Sequence, residues 1–123
     1  MNHLIGLEYK WGSKPRDGEG FTDCFQLCCE VRHLLGMFNF SSAYQWVYNQ
    51  YNEQSFPNRI LMRFLFDNGK RTATPAPGAI ALFRGERPAL GTVTDYGIVF
   101  IAPGGRVVHA PLFNADYYYK MNK

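Results

Sequence analysis

The chain has 123 residues, 46% hydrophobic and 19% charged, a profile that fits one folded domain over residues 1–123 and excludes a disordered chain. Its formal charge of +3 is scattered, with only Gly69–Arg71 forming a short basic cluster, so nucleic acid is not an expected partner. No apolar run approaches the roughly 18 residues of a membrane span, and the N-terminus lacks a charged region followed by a long apolar stretch, so neither membrane insertion nor a signal peptide is expected and synthesis is placed in the cytoplasm.

Aromatic residues reach 16%, with ten Phe and eight Tyr, more than a core of this size hides. Some rings are therefore expected to face a partner or a ligand. The three cysteines fall at positions 24, 28 and 29, too close together for a disulfide framework, and read as reduced thiols. His3, His33 and His109 are isolated from one another and from any cysteine pair, so neither a metal nor another cofactor is expected.

In chain order, the first strong element begins in "GEGFTDCFQLCCEVRHLLG", Gly18 to Gly36. Cys24, Leu27, Cys28, Val31, Leu34 and Leu35 form an i, i+3, i+4, i+7 stripe that predicts a helix ending at Gly36. Thr22 or Asp23 is the natural N-cap, because either side-chain oxygen can accept from a free N–H of the first turn. Cys24 then lies in that turn, where the partial positive charge of the helix N-terminus favours thiolate over thiol. Cys28 and Cys29 read as small packed hydrophobes, and Cys24 is open to both descriptions.

Ser41 and Ser42 predict the cap of a second helix through about Gln54, with Tyr44, Val47, Tyr48 and Tyr51 along one side. Pro57 opens a third, with Ile60, Leu61, Phe64 and Leu65 as its buried stripe and an end near Gly69. After the "TPAPG" connector the pattern changes to strands: "AIALFR" from Ala79, "DYGIVFIA" from Asp95, "RVVHAP" from Arg106 and "ADYYYK" from Ala115. The "APGG" turn predicts a hairpin between the second and third of these. Helices followed by an antiparallel sheet make an α+β fold.

Several short motifs share an order along nearly the whole chain: Tyr9, Trp11 and Gly12 as Tyr-x-Trp-Gly; Asp23, Cys24 and Leu27 as Asp-Cys-x-x-Leu; Pro77 and Gly78 before a strand; "DYGIVF"; and His109, Ala110 and Pro111. In this the chain resembles the NlpC-type family of cell-wall cysteine peptidases. The resemblance implies a papain-like fold, N-terminal helices on a C-terminal antiparallel sheet, with Cys24 as nucleophile and Tyr9, Trp11, Asp23 and Phe25 near the substrate. The aromatic Phe25 after the cysteine resembles the branch found in bacteriophage tail proteins, where the secreted enzymes carry a small residue.

Residue-by-residue mapping sets Asp95 in the place of the family's base histidine and His109 in that of the third polar residue. An aspartate, with an unperturbed pKa near 3.9 against about 6.5 for histidine, is a poor proton shuttle at neutral pH. Either His109 acts as the base with Asp95 orienting it, or the site has lost catalysis. The first reading of function is thus a virion protein of a phage tail or baseplate, partnered by other tail or baseplate proteins and by peptidoglycan stem peptides, on a hydrolase scaffold. The second is an active cysteine endopeptidase or amidase using Cys24 and His109, and a third is an interaction module unrelated to peptidases.

Overall fold

A computed structural model describes residues 1–113 and 115–123. Two short strands come first, β1 (Glu8–Tyr9) and β2 (Phe21–Thr22), paired in parallel. Helix α1 (Cys24–Leu34) follows directly, then α2 (Gln45–Gln50) and α3 (Asn58–Asn68). Six strands complete the chain: β3 (Gly69–Thr72), β4 (Ile80–Phe83), β5 (Ala89–Thr94), β6 (Gly97–Ile101), β7 (Val107–Ala110) and β8 (Tyr117–Met121). They form one antiparallel sheet in the order β3-β8-β4-β5-β6-β7. The molecule is α+β, as the order of helical and strand patterns predicts.

Helix α1 lies across the sheet and is buried continuously from Phe25 to Arg32. On one side Leu27 and Val31 meet Val99 of β6 and Val107 of β7, together with Leu4. On the other, Phe25, Cys28 and Cys29 join Phe64 and Leu65 of α3 and Ile80, Leu82 and Leu90 of the sheet. A helix buried on nearly every side must satisfy its polar residues internally. Arg16 Nε accordingly donates to Glu30 at 2.7 Å, Ser41 Oγ to Gln26 at 2.7 Å, and Arg32 to the main-chain oxygens of Gly78 (2.5 Å), Phe38 (3.2 Å) and Lys123.

The expected stripe of α1 is shorter than its periodicity implies. Leu34 falls on the same side as Leu27 but is exposed, and Leu35 is only half-buried, because by the last turn the helix has run past the residues that cover it. Helix α2 also differs, ending at Gln50 rather than near Gln54. Asn52 Oδ1 accepts from the Ser55 N–H at 2.9 Å and Ser55 Oγ accepts from the Asn52 N–H at 3.0 Å, a local side-chain turn that displaces helical bonding. Neither Ser41 nor Ser42 caps the segment; the Ser41 hydroxyl is used by Gln26.

In the sheet, the strand expected from Asp95 begins at Gly97, and Asp95 and Tyr96 form the turn between β5 and β6. Strand β5, "ALGTVT", is absent from the sequence reading because Gly91 interrupts its strand pattern. Gly91 is required by close approach: a Cβ there would lie 2.9 Å from Ile98 and 3.0 Å from Phe100, so its missing side chain lets neighbouring strands pack. Strand β3, "GKRT", is equally inconspicuous and is held by its pairing with β8.

Candidate functional site

The site is assembled by Asp23. It caps α1 with Oδ1, which accepts from the Gln26 N–H at 2.8 Å, while Oδ2 accepts from the Gly12 N–H at 2.9 Å and the Tyr48 hydroxyl at 2.8 Å. One carboxylate thereby joins the Trp11–Gly12 turn, the start of α1 and helix α2. The parallel pairing of β1 with β2, including Lys10 N to Thr22 O at 3.0 Å, carries Tyr9 and Trp11 to the same place. The Tyr-x-Trp-Gly and Asp-Cys elements are therefore two halves of one hydrogen-bonded corner. Gly12, at φ 78°, occupies the left-handed region the turn requires.

Cys24 opens onto a cavity of about 250 Å³ next to this corner. Trp11 packs there with its ring centroid 5.0 Å from that of Tyr48 and 5.1 Å from that of Phe56. Phe25 makes edge contacts with Tyr44 (5.6 Å) and Phe64 (5.1 Å), so it belongs to the core as well as to the cavity wall. Tyr9 stands at the rim, 40% exposed, with its hydroxyl 3.2 Å from Glu53 Oε2. All of Tyr9, Trp11, Asp23, Cys24 and Phe25 line this one cavity.

Asp95 and His109 do not. Asp95 is exposed on the β5–β6 turn and borders a separate shallow cleft with Pro75, Thr94 and Tyr96. His109 Nε2 lies 2.8 Å from Thr94 Oγ1, at the same end of the sheet. The strand running past the thiol is β5, and the main chain of Leu90 is what reaches Cys24. Thr94 is four residues further along β5, about 13 Å at strand rise. Continuing the register that pairs Gly91 with Phe100 sets Leu90 against Ile101, and Ile101 lines the cavity. Beside Cys24 the sheet thus presents the Leu90 main chain and the Ile101 side chain.

The electrostatics follow from this setting. Burial pushes the Cys24 thiol up to about 11, and the neighbouring Asp23 charge adds to it. Main-chain N–H groups of Leu90 and of the first helical turn act in the opposite direction and do not prevail, so the expected bias toward thiolate is overridden by desolvation. Cys28 is also raised, burial again first, and burial pushes Cys29 up to about 12; both sit in the core, as the packing reading has it. Burial raises Asp23 too, opposed by the hydrogen bonds it accepts. The hydroxyls of Tyr9 and Tyr48 shift upward by burial, with Glu53 acting next on Tyr9 and Asp23 next on Tyr48.

Among the described residues no group of three or more His, Cys, Asp or Glu side chains could hold a metal ion, and no helix is long and apolar enough to cross a membrane. Sequence reading overlooks Glu53, Phe56, Leu90 and Ile101. Tyr48 carries a usable signal in its i+4 spacing from Tyr44, whereas Glu53 and Phe56 reach the site only because α2 breaks early. No family model, curated protein or solved structure matches the chain.

Proposed function

We propose that the chain is a bacteriophage tail or baseplate component on an NlpC-type, papain-like scaffold, which keeps the groove of a wall-peptide hydrolase as a binding site and does not cleave. The observation that carries this reading is the state of Cys24. The residue occupies the N-terminal turn of a helix backed by an antiparallel sheet and opens onto a cavity, the arrangement from which a cysteine attacks a peptide carbonyl. Burial nevertheless pushes its thiol up to about 11, and among the described residues no histidine lines the cavity. At pH 7 such a thiol is ionised in roughly one molecule in 10⁴, and a thiol mechanism also needs an acid to protonate the leaving amine.

The order of Tyr9, Trp11, Gly12, Asp23, Cys24 and Leu27 along the chain supports the scaffold, since the Asp23 carboxylate accepts from the Gly12 N–H on one side and the Gln26 N–H of the first turn of α1 on the other. The aromatic Phe25 supports the tail-protein branch. In this reading the protein resides in the virion, with tail or baseplate proteins as neighbours and peptidoglycan stem peptides as ligands. The test is incubation with purified stem peptides, followed by calorimetry for binding and mass spectrometry for cleavage, together with mass spectrometry of purified phage tails. Binding without cleavage and recovery of the chain in tails are expected. Cleavage abolished by Cys24→Ala would replace this reading with that of an active endopeptidase.

A further inference from the structure

The cavity beside Cys24 is graded from its floor to its mouth. Phe25, Val47, Leu61 and Phe64 line it and are themselves buried, so its inner wall is apolar. Glu53 and Arg87 line it from the mouth, half-buried and exposed, on the loop after α2 and the loop between β4 and β5. Arg87 Nη1 reaches across to the Glu53 main-chain oxygen at 3.5 Å, while the Glu53 carboxylate turns to the Tyr9 hydroxyl, which donates to Oε2 at 3.2 Å. Two opposite charges thus share one opening without neutralising each other. Among the described residues the ion pairs are Arg16–Glu30, Arg63–Asp67 and Arg106–Glu8, so the Arg87 and Glu53 charges stand farther apart than the roughly 4 Å of such a pair.

Both groups keep hydrogen-bonding capacity. Among the described residues Glu53 Oε1 accepts from none, and the Arg87 guanidinium, with its several N–H donors, makes a single long bond. The charge pattern then selects the occupant. A simple amine would be drawn by Glu53 and Asp23 and repelled by Arg87, whereas a simple carboxylate would pair with Arg87 and face both carboxylates. A zwitterion offers each charge its complement, and a guanidinium holds a carboxylate through two parallel hydrogen bonds. An α-amino acid carries both charges on one carbon and its side chain away from them, which matches a charged mouth above an apolar floor. A volume of about 250 Å³, below the roughly 300–1,000 Å³ of drug-sized pockets, suits one such residue.

We infer that this cavity binds a free apolar α-amino acid as its zwitterion, with the carboxylate on Arg87, the ammonium on Glu53 and the side chain against Leu61 and Phe64. The inference rests on the proposed function only in taking the cavity as a binding site. Its occupant is a single amino acid, where the proposed function has a peptide.

The experiment titrates the full chain with phenylalanine and leucine, with phenylalaninamide, which lacks the carboxylate, with 3-phenylpropionate, which lacks the ammonium, and with a stem peptide, following indole N–H signals by NMR and heats by calorimetry. Trp11 lines the cavity and Trp46 does not, so a shift confined to Trp11 reports the site. Phenylalanine is expected to bind more tightly than either the amide or 3-phenylpropionate, by roughly tenfold or more for each missing charged group. Arg87→Gln, on a loop, should erase the preference over the amide and keep that over 3-phenylpropionate. Glu53→Gln, also on a loop, should do the converse. Binding of the amide or of 3-phenylpropionate at least as tight as that of phenylalanine, or discrimination that survives both substitutions, overturns the inference. Binding of the stem peptide without either amino acid overturns it and leaves the proposed function standing; silence from every ligand removes both.

Discussion

Cys24 illustrates how two local effects on one residue compete. Its position at a helix N-terminus predicts an acidic thiol, and its burial beside Asp23 predicts a basic one; burial is the larger influence. Alkylation of Cys24 at pH 7 should therefore run roughly two orders of magnitude slower than that of a free cysteine, by thiolate fraction, and rise until about pH 11. Iodoacetamide rates against pH check this, and a plateau reached below pH 8 would contradict it. The same assay tells which positions an introduced imidazole can act from. Asp95→His, remote from the cavity, should leave the Cys24 rate unchanged, whereas Ile101→His, on the cavity wall, should lower the apparent thiol pKa by one unit or more. Asp23 is the other residue with several roles. Asp23→Ala removes the N-cap and two further hydrogen bonds, an expected loss of about 2–4 kcal/mol in denaturant unfolding.

Among the elements, α1 is the keystone because it touches both the sheet and the aromatic layer of α3. Leu27→Ala, at a fully buried position, should cost about 2–5 kcal/mol. Val31→Asp sets an unpaired carboxylate against Val99 and Val107 and should abolish cooperative melting, since the expected penalty of several kcal/mol is a large share of a typical total of about 5–15 kcal/mol. The β5–β6 hairpin has a different weak point. Gly97 has φ 147°, and a Cβ on it would lie 1.9 Å from the main-chain oxygen of Ala110 in β7. Gly97→Ala should therefore disturb the pairing of β6 with β7, seen as faster amide exchange across Val107–Ala110 while exchange in α1 is retained.

At the scale of the whole molecule, the three thiols shift the same way and couple stability to alkaline pH. Each is raised above an ordinary value of 9.0, Cys24 to about 11 and Cys29 to about 12, so between these limits the folded chain holds protons that the unfolded chain has released. Their contribution is complete below about pH 9 and is lost as pH rises toward 11 and 12. The melting temperature should fall across that window, and Cys24→Ala should make the fall shallower. The hydroxyls of Tyr9, at the rim, and of the half-buried Tyr48 shift upward as well and contribute with the same sign at higher pH. The three tyrosines of β8 do not form the free aromatic surface their run suggests: Tyr119 is buried, and the Tyr118 hydroxyl donates to the Phe113 main-chain oxygen. Trp11, Phe25, Tyr44, Tyr48, Phe56 and Phe64 line the cavity, whereas Phe38, Trp46, Phe66, Tyr96 and Phe113 stay exposed.

Local pattern alone determined the parts of this protein whose causes lie within a few residues. The α1 stripe, the Asp23 cap, the α3 start after Pro57 and the β6–β7 hairpin are all legible, because capping, periodicity and turn chemistry act over one or two helical turns or a tight turn. The Tyr9–Trp11–Gly12 and Asp23–Cys24 elements are legible as a pair, and their hydrogen-bonded corner supplies the reason. What only tertiary structure decided is which strand passes the thiol. Strand β5 forms around Gly91, whose lack of a side chain is useful solely because Ile98 and Phe100 crowd it, and that crowding is invisible along the chain. With β5 in place Asp95 becomes a turn residue, His109 pairs with Thr94, and Leu90 and Ile101 occupy the ground beside Cys24. The upward shift of the thiol likewise comes from tertiary packing, since desolvation depends on everything that surrounds a group and the helix terminus is a local property.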